Sequence, residues 1–182
     1  MSEAAVHTAI ARTRATGEPS RPLVDVASVR AALAEVADPE LPVVSLVDLG
    51  MVDGVEIRPA GIHVSLLPTF VGCPALDVIR QRVEERLAAF GRPVDVRFEY
   101  RVPWTSDRIT REGRERLRTA GIAPPGPARA DEPLLVQLQA PVPCPNCGSR
   151  RTVLENVFGP SQCRAIYHCT ACRQPFERFK PI

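Results

Sequence analysis

Histidine is scarce in this chain, with three residues in 182, at positions His7, His63 and His168. The shortage argues against a hydrolase built on a thiol nucleophile, because such a nucleophile needs a base beside it. His7 lies in an N-terminal stretch without core periodicity, and His168 lies among clustered cysteines. His63 sits on an alternating segment, opposite in phase to Ile62 and Val64, and so faces solvent. A large excess of one charge is also missing. The net charge is +2, whereas nucleic-acid binders carry a basic stripe or a pI above about 9. Lysine is reduced to Lys180, and arginine supplies the other basic residues. No apolar run approaches the roughly 20 residues a membrane span requires. The opening residues, with Glu3 and no long apolar centre, do not read as a secretory leader. These shortages predict a cytoplasmic, non-enzymatic protein with neither a nucleic-acid nor a membrane partner.

Six cysteines are present, at 73, 144, 147, 163, 169 and 172. Without an export signal they suggest reduced thiols and metal ligation rather than a disulfide framework. Cys144-Pro-Asn-Cys147 and Cys169-Thr-Ala-Cys172 form two matched pairs separated by 21 residues. A two-residue spacing lets both thiolates of a pair reach one tetrahedral ion from a tight turn, and two such turns make a structural zinc ribbon. Redox activity of either pair is the weaker reading, since a thioredoxin-like motif belongs beside a βαβ unit. Cys163 and His168 lie in the same segment, and either is a candidate extra ligand. Short strands fit around the pairs near Leu134–Gln139, Arg151–Phe158, Arg164–His168 and Pro175–Phe179. So small a segment lacks a core of its own, so the metal supplies much of its stability.

Upstream, residues 1–21 read as a mobile tail. Asp25 caps a helix expected over Val26 to about Ala37, stopped by Asp38-Pro39. The stretch from Asp38 to Val52 is held extended by two prolines, and its Asp38, Glu40 and Asp48 either cap backbone or ligate a metal. Val52–Arg58 and Ile62–Leu67 alternate and read as a hairpin. A helix is expected from about Ala75 to Phe90, with Ile79, Val83, Leu87 and Phe90 on one stripe and Gly91 as its stop. Val94 to Tyr100 alternates as a third strand, and a charged helix follows over about Arg108–Thr119. Trp104 is expected to pack over the end of the sheet. The pattern predicts an α+β two-layer sandwich in the order α-β-β-α-β-α, followed by the small four-cysteine ribbon. The proline-rich stretch 124–133 reads as a linker between a unit at 22–123 and a ribbon at 134–182.

Between the second strand and its following helix lies Pro68-Thr-Phe-Val-Gly-Cys73-Pro74. Cys73 therefore sits where a strand hands over to a helix N-terminus, whose free N–H groups and dipole favour a thiolate. A buried cysteine that merely fills the turn is the competing reading.

Three segments resemble known families. Asp38-Pro-Glu-Leu-Pro-Val-Val-Ser-Leu-Val-Asp-Leu-Gly50 and Pro68–Ala75 are similar to the two signatures of the SufT-type iron–sulfur assembly domain. Trp104-Thr-Ser-Asp107, continuing to Gly121-Ile-Ala-Pro-Pro125, together with the cysteine ribbon resembles the PaaD family, encoded with the multicomponent phenylacetyl-CoA epoxidase. The resemblance implies a maturation factor of aerobic phenylacetate catabolism that inserts iron–sulfur clusters or iron into the reductase or the di-iron oxygenase component. A structural adaptor that handles no iron is the alternative. By resemblance, Cys73 becomes the ligand of a transient cluster or iron, with Asp38, Glu40 and Thr69 beside it. Cys144, Cys147, Cys169 and Cys172 match the ribbon's zinc ligands, and Cys163 matches a further family cysteine. Relatives often end Phe-Lys-Cys-Ile, whereas this chain ends Phe179-Lys-Pro-Ile182. A homodimer sharing one cluster through Cys73 is the expected assembly.

Overall fold

A computed structural model describes residues 24–127, 129 and 131–181. The tail expected over 1–21 lies outside the described residues. The chain opens with helix α1 (Val26–Leu33), fixed by a capping box in which Ser28 N donates to Asp25 Oδ1 at 2.7 Å and Asp25 N donates to Ser28 Oγ at 3.1 Å. It ends at Ala34 rather than near Ala37. The backbone that would have continued it is used elsewhere: Leu46 N donates to Val36 O at 2.9 Å and Asp38 N to Val44 O at 3.0 Å. Residues 36–38 and 44–46 thus zip together around an isolated Ala37–Ser45 bridge.

Strands β1 (Val52–Arg58) and β2 (Gly61–Leu66) form the expected antiparallel hairpin, with Val55 opposite Val64. Helix α2 (Leu76–Leu87) then crosses over, and β3 (Val94–Phe98) returns parallel to β2 with Val96 opposite Val64. Ile79, Val83 and Leu87 recur at helical spacing and are all buried, packing with Ile62, Val64 and Val96 of the sheet. The other sheet face carries His63, Ser65, Asp95 and Arg97. After Leu87 the expected helix tightens into a 3₁₀ turn over Ala88–Phe90, and Gly91, at φ +65°, ends the helical stretch where the sequence expects.

Helix α3 (Arg111–Thr119) is capped by Thr110, whose Oγ1 accepts from Gly113 N at 2.9 Å. A Cβ on Gly113 would lie 2.7 Å from Asp48 O, so glycine is what lets α3 press against the 45–50 turn. Arg116 reinforces the approach with an ion pair to Asp48 at 3.1 Å.

The second sheet has the order β4 (Ile122–Ala123), β7 (Pro175–Phe179), β6 (Arg164–Cys169), β5 (Thr152–Asn156). Its β4 comes from the chain before the proline-rich stretch and pairs parallel with β7. The strand expected over Leu134–Gln139 is instead helix α4, with Pro133 as its N-cap residue. Two observations account for this. The place beside β7 is already taken by β4, and Val136 N and Gln137 N donate to Pro133 O at 3.0 and 3.2 Å, closing a helical turn, while Gln137 Nε2 ties the preceding loop by donating to Arg129 O and Glu132 O, both at 2.8 Å.

The two sheets share packing. Phe179, from the ribbon's last strand, is fully buried in the core of the first unit together with Trp104 and Cys163.

Candidate cargo site and metal centre

The loop after β2 turns tightly, with Cys73 N donating to Phe70 O at 3.1 Å. Cys73 is half-buried, and its Sγ donates to Glu40 Oε2 at 3.8 Å. Asp38 anchors the facing turn, with Oδ1 accepting from Glu40 N and Leu41 N, both at 2.9 Å. Asp48 likewise serves backbone and hydroxyl, accepting from Ser45 N at 3.0 Å and Ser45 Oγ at 2.9 Å. Both aspartates therefore do the capping that prolines and glycine beside them predict. Thr69 stands in the wall of a neighbouring groove, and no hydrogen bond joins it to Cys73 among the described residues.

The electrostatics of Cys73 favour the buried-cysteine reading over the activated thiolate. Burial raises the thiol pKa most; the Ala75 N–H opposes it, and the charges of Glu40 and Asp38 add to the rise. The N-terminus of α2 does act on it, through the N–H of the N-cap residue Ala75, but burial outweighs that pull. Asp38 is itself pushed up by burial, against the pull of the Glu40 and Leu41 N–H groups. Cys73 thus stays a thiol that already shares its hydrogen with a carboxylate.

Cys163 belongs to this neighbourhood and not to the ribbon's cysteines. It is 5% exposed within the first core, with Sγ 3.1 Å from Ser161 Oγ. Burial pushes its pKa up to about 11, and Asp38 and Glu40 are among the charges acting on it. A Cβ on Gly72 would lie 3.8 Å from Gln162 Oε1, so the 161–163 segment abuts the Cys73 turn. Lys180 holds that segment by donating Nζ to Gln162 O at 2.7 Å.

Beside Cys73 runs an apolar groove of about 360 Å³, bounded by residues 68–71, 99–100 and 102–104. Its rim leaves Val71, Tyr100 and Val102 more than half exposed. Trp104 forms one wall but is only 4% exposed, donating Nε1 to Leu49 O at 2.8 Å. Sequence patterning misses this groove because loop residues carry no periodicity. His63 is tied up across the sheet, with Nδ1 3.0 Å from Asp95 Oδ2.

In the ribbon, Cys144, Cys147, Cys169 and Cys172 bring all four sulfurs within 4.8 Å of one another. The Cys144–Cys172 and Cys147–Cys169 sulfurs are 3.8 Å and 3.6 Å apart. A tetrahedral ion with metal–sulfur bonds of about 2.3 Å requires sulfur–sulfur edges of about 3.8 Å, so the donor set fits such an ion. The backbone N–H of Cys172 is the main cause that draws Cys169 down to about 6. The Gln174 N–H pulls Cys172 down, yet burial and the neighbouring sulfurs together push it up to about 12. The four sulfurs ionise together only when a cation compensates them.

This pairing of a compact α+β unit with a four-sulfur ribbon defines a class, and comparisons with known proteins match two families along the chain. Residues 27–97 match the family described as "Iron-sulfur cluster assembly protein", and residues 128–180 match the "PaaD zinc beta ribbon domain". The chain is thus an iron–sulfur cluster assembly domain joined to a PaaD-type ribbon. It is 39% identical over 158 residues to one component of the "Putative 1,2-phenylacetyl-CoA epoxidase" of Escherichia coli, covering 86% of this chain and 93% of that protein. It belongs to the PaaD family. The "Fe-S protein maturation auxiliary factor YitW" of Bacillus subtilis is 33% identical over 87 residues, 46% of this chain and 84% of the relative. A crystal structure of a DUF59 domain from Bacillus anthracis superposes with a TM-score of 0.47 at 27% identity, covering 50% of this chain and 89% of that one. No helix among the described residues is long and apolar enough to cross a membrane.

Proposed function

We propose that this protein is a non-catalytic, cytoplasmic accessory factor that helps insert iron or iron–sulfur clusters into a phenylacetyl-CoA epoxidase. The cargo is held briefly at Cys73, with Glu40, Asp38 and Thr69 beside it. The observation that carries the proposal is the 3.8 Å contact between Cys73 Sγ and Glu40 Oε2. A thiol must lose its proton to bind iron, and metal affinity then depends on pH. Glu40 is placed to relay that proton to solvent as the cargo arrives. Because burial and carboxylates hold the proton on Cys73, binding is weak, which suits a carrier that must release. The ribbon is proposed to hold one zinc ion on Cys144, Cys147, Cys169 and Cys172. Zinc held by four thiolates has no open position and supplies folding energy.

The test is co-expression of the epoxidase components with this protein or its Cys73→Ser variant. The variant is expected to keep its fold and zinc while the epoxidase is recovered short of iron and inactive. Full epoxidase activity with the Ser variant would refute a role for the thiol. The apolar groove favours a second reading, an adaptor that docks the reductase or oxygenase without handling iron. That reading predicts stable co-purification and no iron after anaerobic reconstitution. A homodimer sharing a cluster between two Cys73 thiols belongs to the first reading, and light scattering that finds the loaded protein monomeric would remove it.

A further inference from the structure

A second cavity, of about 520 Å³, lies between the proline-rich stretch and the ribbon, away from Cys73. Its polar lining is dominated by four arginines, Arg118, Arg129, Arg150 and Arg178, and among the described residues no carboxylate lines it. Arg118 and Arg129 are paired locally with Glu115 and Glu132. Arg150 has only a 3.3 Å hydrogen bond to Pro141 O, and no ion pair among the described residues.

Arg178 is the unusual member, because it is 4% exposed and has no carboxylate partner among the described residues. Its Nη1 donates to Gln137 O at 3.1 Å and to Tyr167 Oη at 2.7 Å, and the guanidinium lies 5.5 Å from the centre of the Tyr167 ring. Nε is buried without any partner, and Nη2 makes no hydrogen bond to a described residue. A guanidinium has five N–H donors, and the idle Nε–Nη2 edge is one of the forks that grip two oxygens of an oxoanion. A buried charge without a counter-ion is costly, so an occupied fork is the lower-energy state. Six of the lining residues are prolines, which make stiff walls without N–H groups of their own. The arginines are the charged donors among the lining residues.

We infer that this cavity binds a small phosphate monoester, gripped by the free edge of Arg178 and by Arg150. Two unpaired guanidiniums match a group that carries about −1.5 to −2 charge at pH 7 and offers three acceptor oxygens. A rival account assigns the two arginines to the metal centre, since Cys144 also lines the cavity and a divalent ion on four thiolates has a net charge of −2.

The experiment uses the zinc-loaded full chain, with the arginine Nε–H signals followed by ¹H–¹⁵N spectroscopy at constant ionic strength. Glycerol 3-phosphate, inorganic phosphate and succinate are the probes. The expected result is a saturable shift of the Arg178 Nε–H signal with glycerol 3-phosphate and with phosphate, and a much weaker response to succinate. Arg150→Gln, at an exposed position, is expected to weaken binding about tenfold with zinc content unchanged. No saturable shift, or a shift that Arg150→Gln leaves untouched, overturns the inference. So does equal or tighter succinate binding, which would make the site a dicarboxylate site. If Arg178→Lys sheds zinc more readily to a chelator while the wild type ignores all three probes, the rival account is correct.

Discussion

Phe179 packs on Trp104, with ring centroids 5.8 Å apart and planes inclined at 45°. The first residue lies on the ribbon's last strand and the second in the loop after β3, so one aromatic contact ties the two units together. Both side chains are buried in the same cluster. Phe179→Ala should therefore destabilise the assembly unit as well as the ribbon, by about 3–5 kcal/mol. Denaturation followed separately by helix signal and by Trp104 fluorescence is expected to give coincident transitions, both shifted. Transitions that Phe179→Ala leaves unshifted in both probes would show that the ribbon contact does not stabilise the assembly unit.

The parts legible in the sequence were those fixed by local periodicity. The β1–β2 hairpin, the buried stripe Ile79–Val83–Leu87 and the four ribbon cysteines follow from spacings of 2, of 3 to 4, and of three residues. The misread elements depend on distant partners. Leu134–Gln139 is a short apolar run that fits strand or helix equally, and β4 decides it by taking the sheet position beside β7. Cys163 lies between the ribbon pairs in sequence, yet the β5–β6 connection folds back on the first unit and buries it there. Of the two readings the sequence left open for Cys73, the buried one is favoured first by desolvation, with Glu40 and Asp38, more than thirty positions upstream, adding their charge across the fold. Spacing around Cys73 carries no trace of them.

The pH profile of Cys73 follows from that arrangement. Burial comes first among the causes of its raised pKa, and Glu40 adds both its charge and a hydrogen bond that favours the thiol. Replacing Glu40 by Gln removes the charge, so the Cys73 pKa should fall and alkylation by iodoacetamide should begin at lower pH. For iron loading the sign is set by proton release: below the thiol pKa, affinity rises as pH rises, about tenfold per unit for one proton. Identical alkylation profiles for wild type and Glu40→Gln would show that the carboxylate does not act on the thiol.

Asp38 offers a test of capping against ligation. Its pKa is raised above 3.8 by burial, so folding disfavours the charged form. The penalty is absent at low pH, where the group is protonated in both states, and grows as pH rises from the unfolded value towards the raised folded value. Asp38→Asn keeps an oxygen to accept from Glu40 N and Leu41 N. It should match the wild type near pH 3 and equal or exceed its stability at pH 7. Asp38→Ala loses the cap and should cost about 1 kcal/mol. Urea titrations of both variants at the two pH values decide this, and a large loss in Asp38→Asn at pH 7 would show that the charge itself is needed.

Metal removal should be felt as far away as Trp104. The ribbon's sulfurs hold the turns at 144–148 and 169–173, where Gly148 N donates to Cys144 O and Arg173 N to Cys169 O, both at 2.8 Å. Without a cation the four thiols revert to neutral or mutually repelling groups, and the two turns lose what joins them. Strand β7 begins two residues after the second turn and ends at Phe179. Loosening it therefore releases the ring that covers Trp104. Addition of a strong chelator is expected to release one zinc per chain and, in the same time course, to change Trp104 emission and its near-ultraviolet dichroism. Cys147→Ser, at an exposed ligand, should reproduce much of the change without chelator. The α1, α2 and three-stranded-sheet signals should persist longer, because their core is built mainly from residues 29–117. Zinc release with no change at Trp104 would show that β7 holds its place by packing alone.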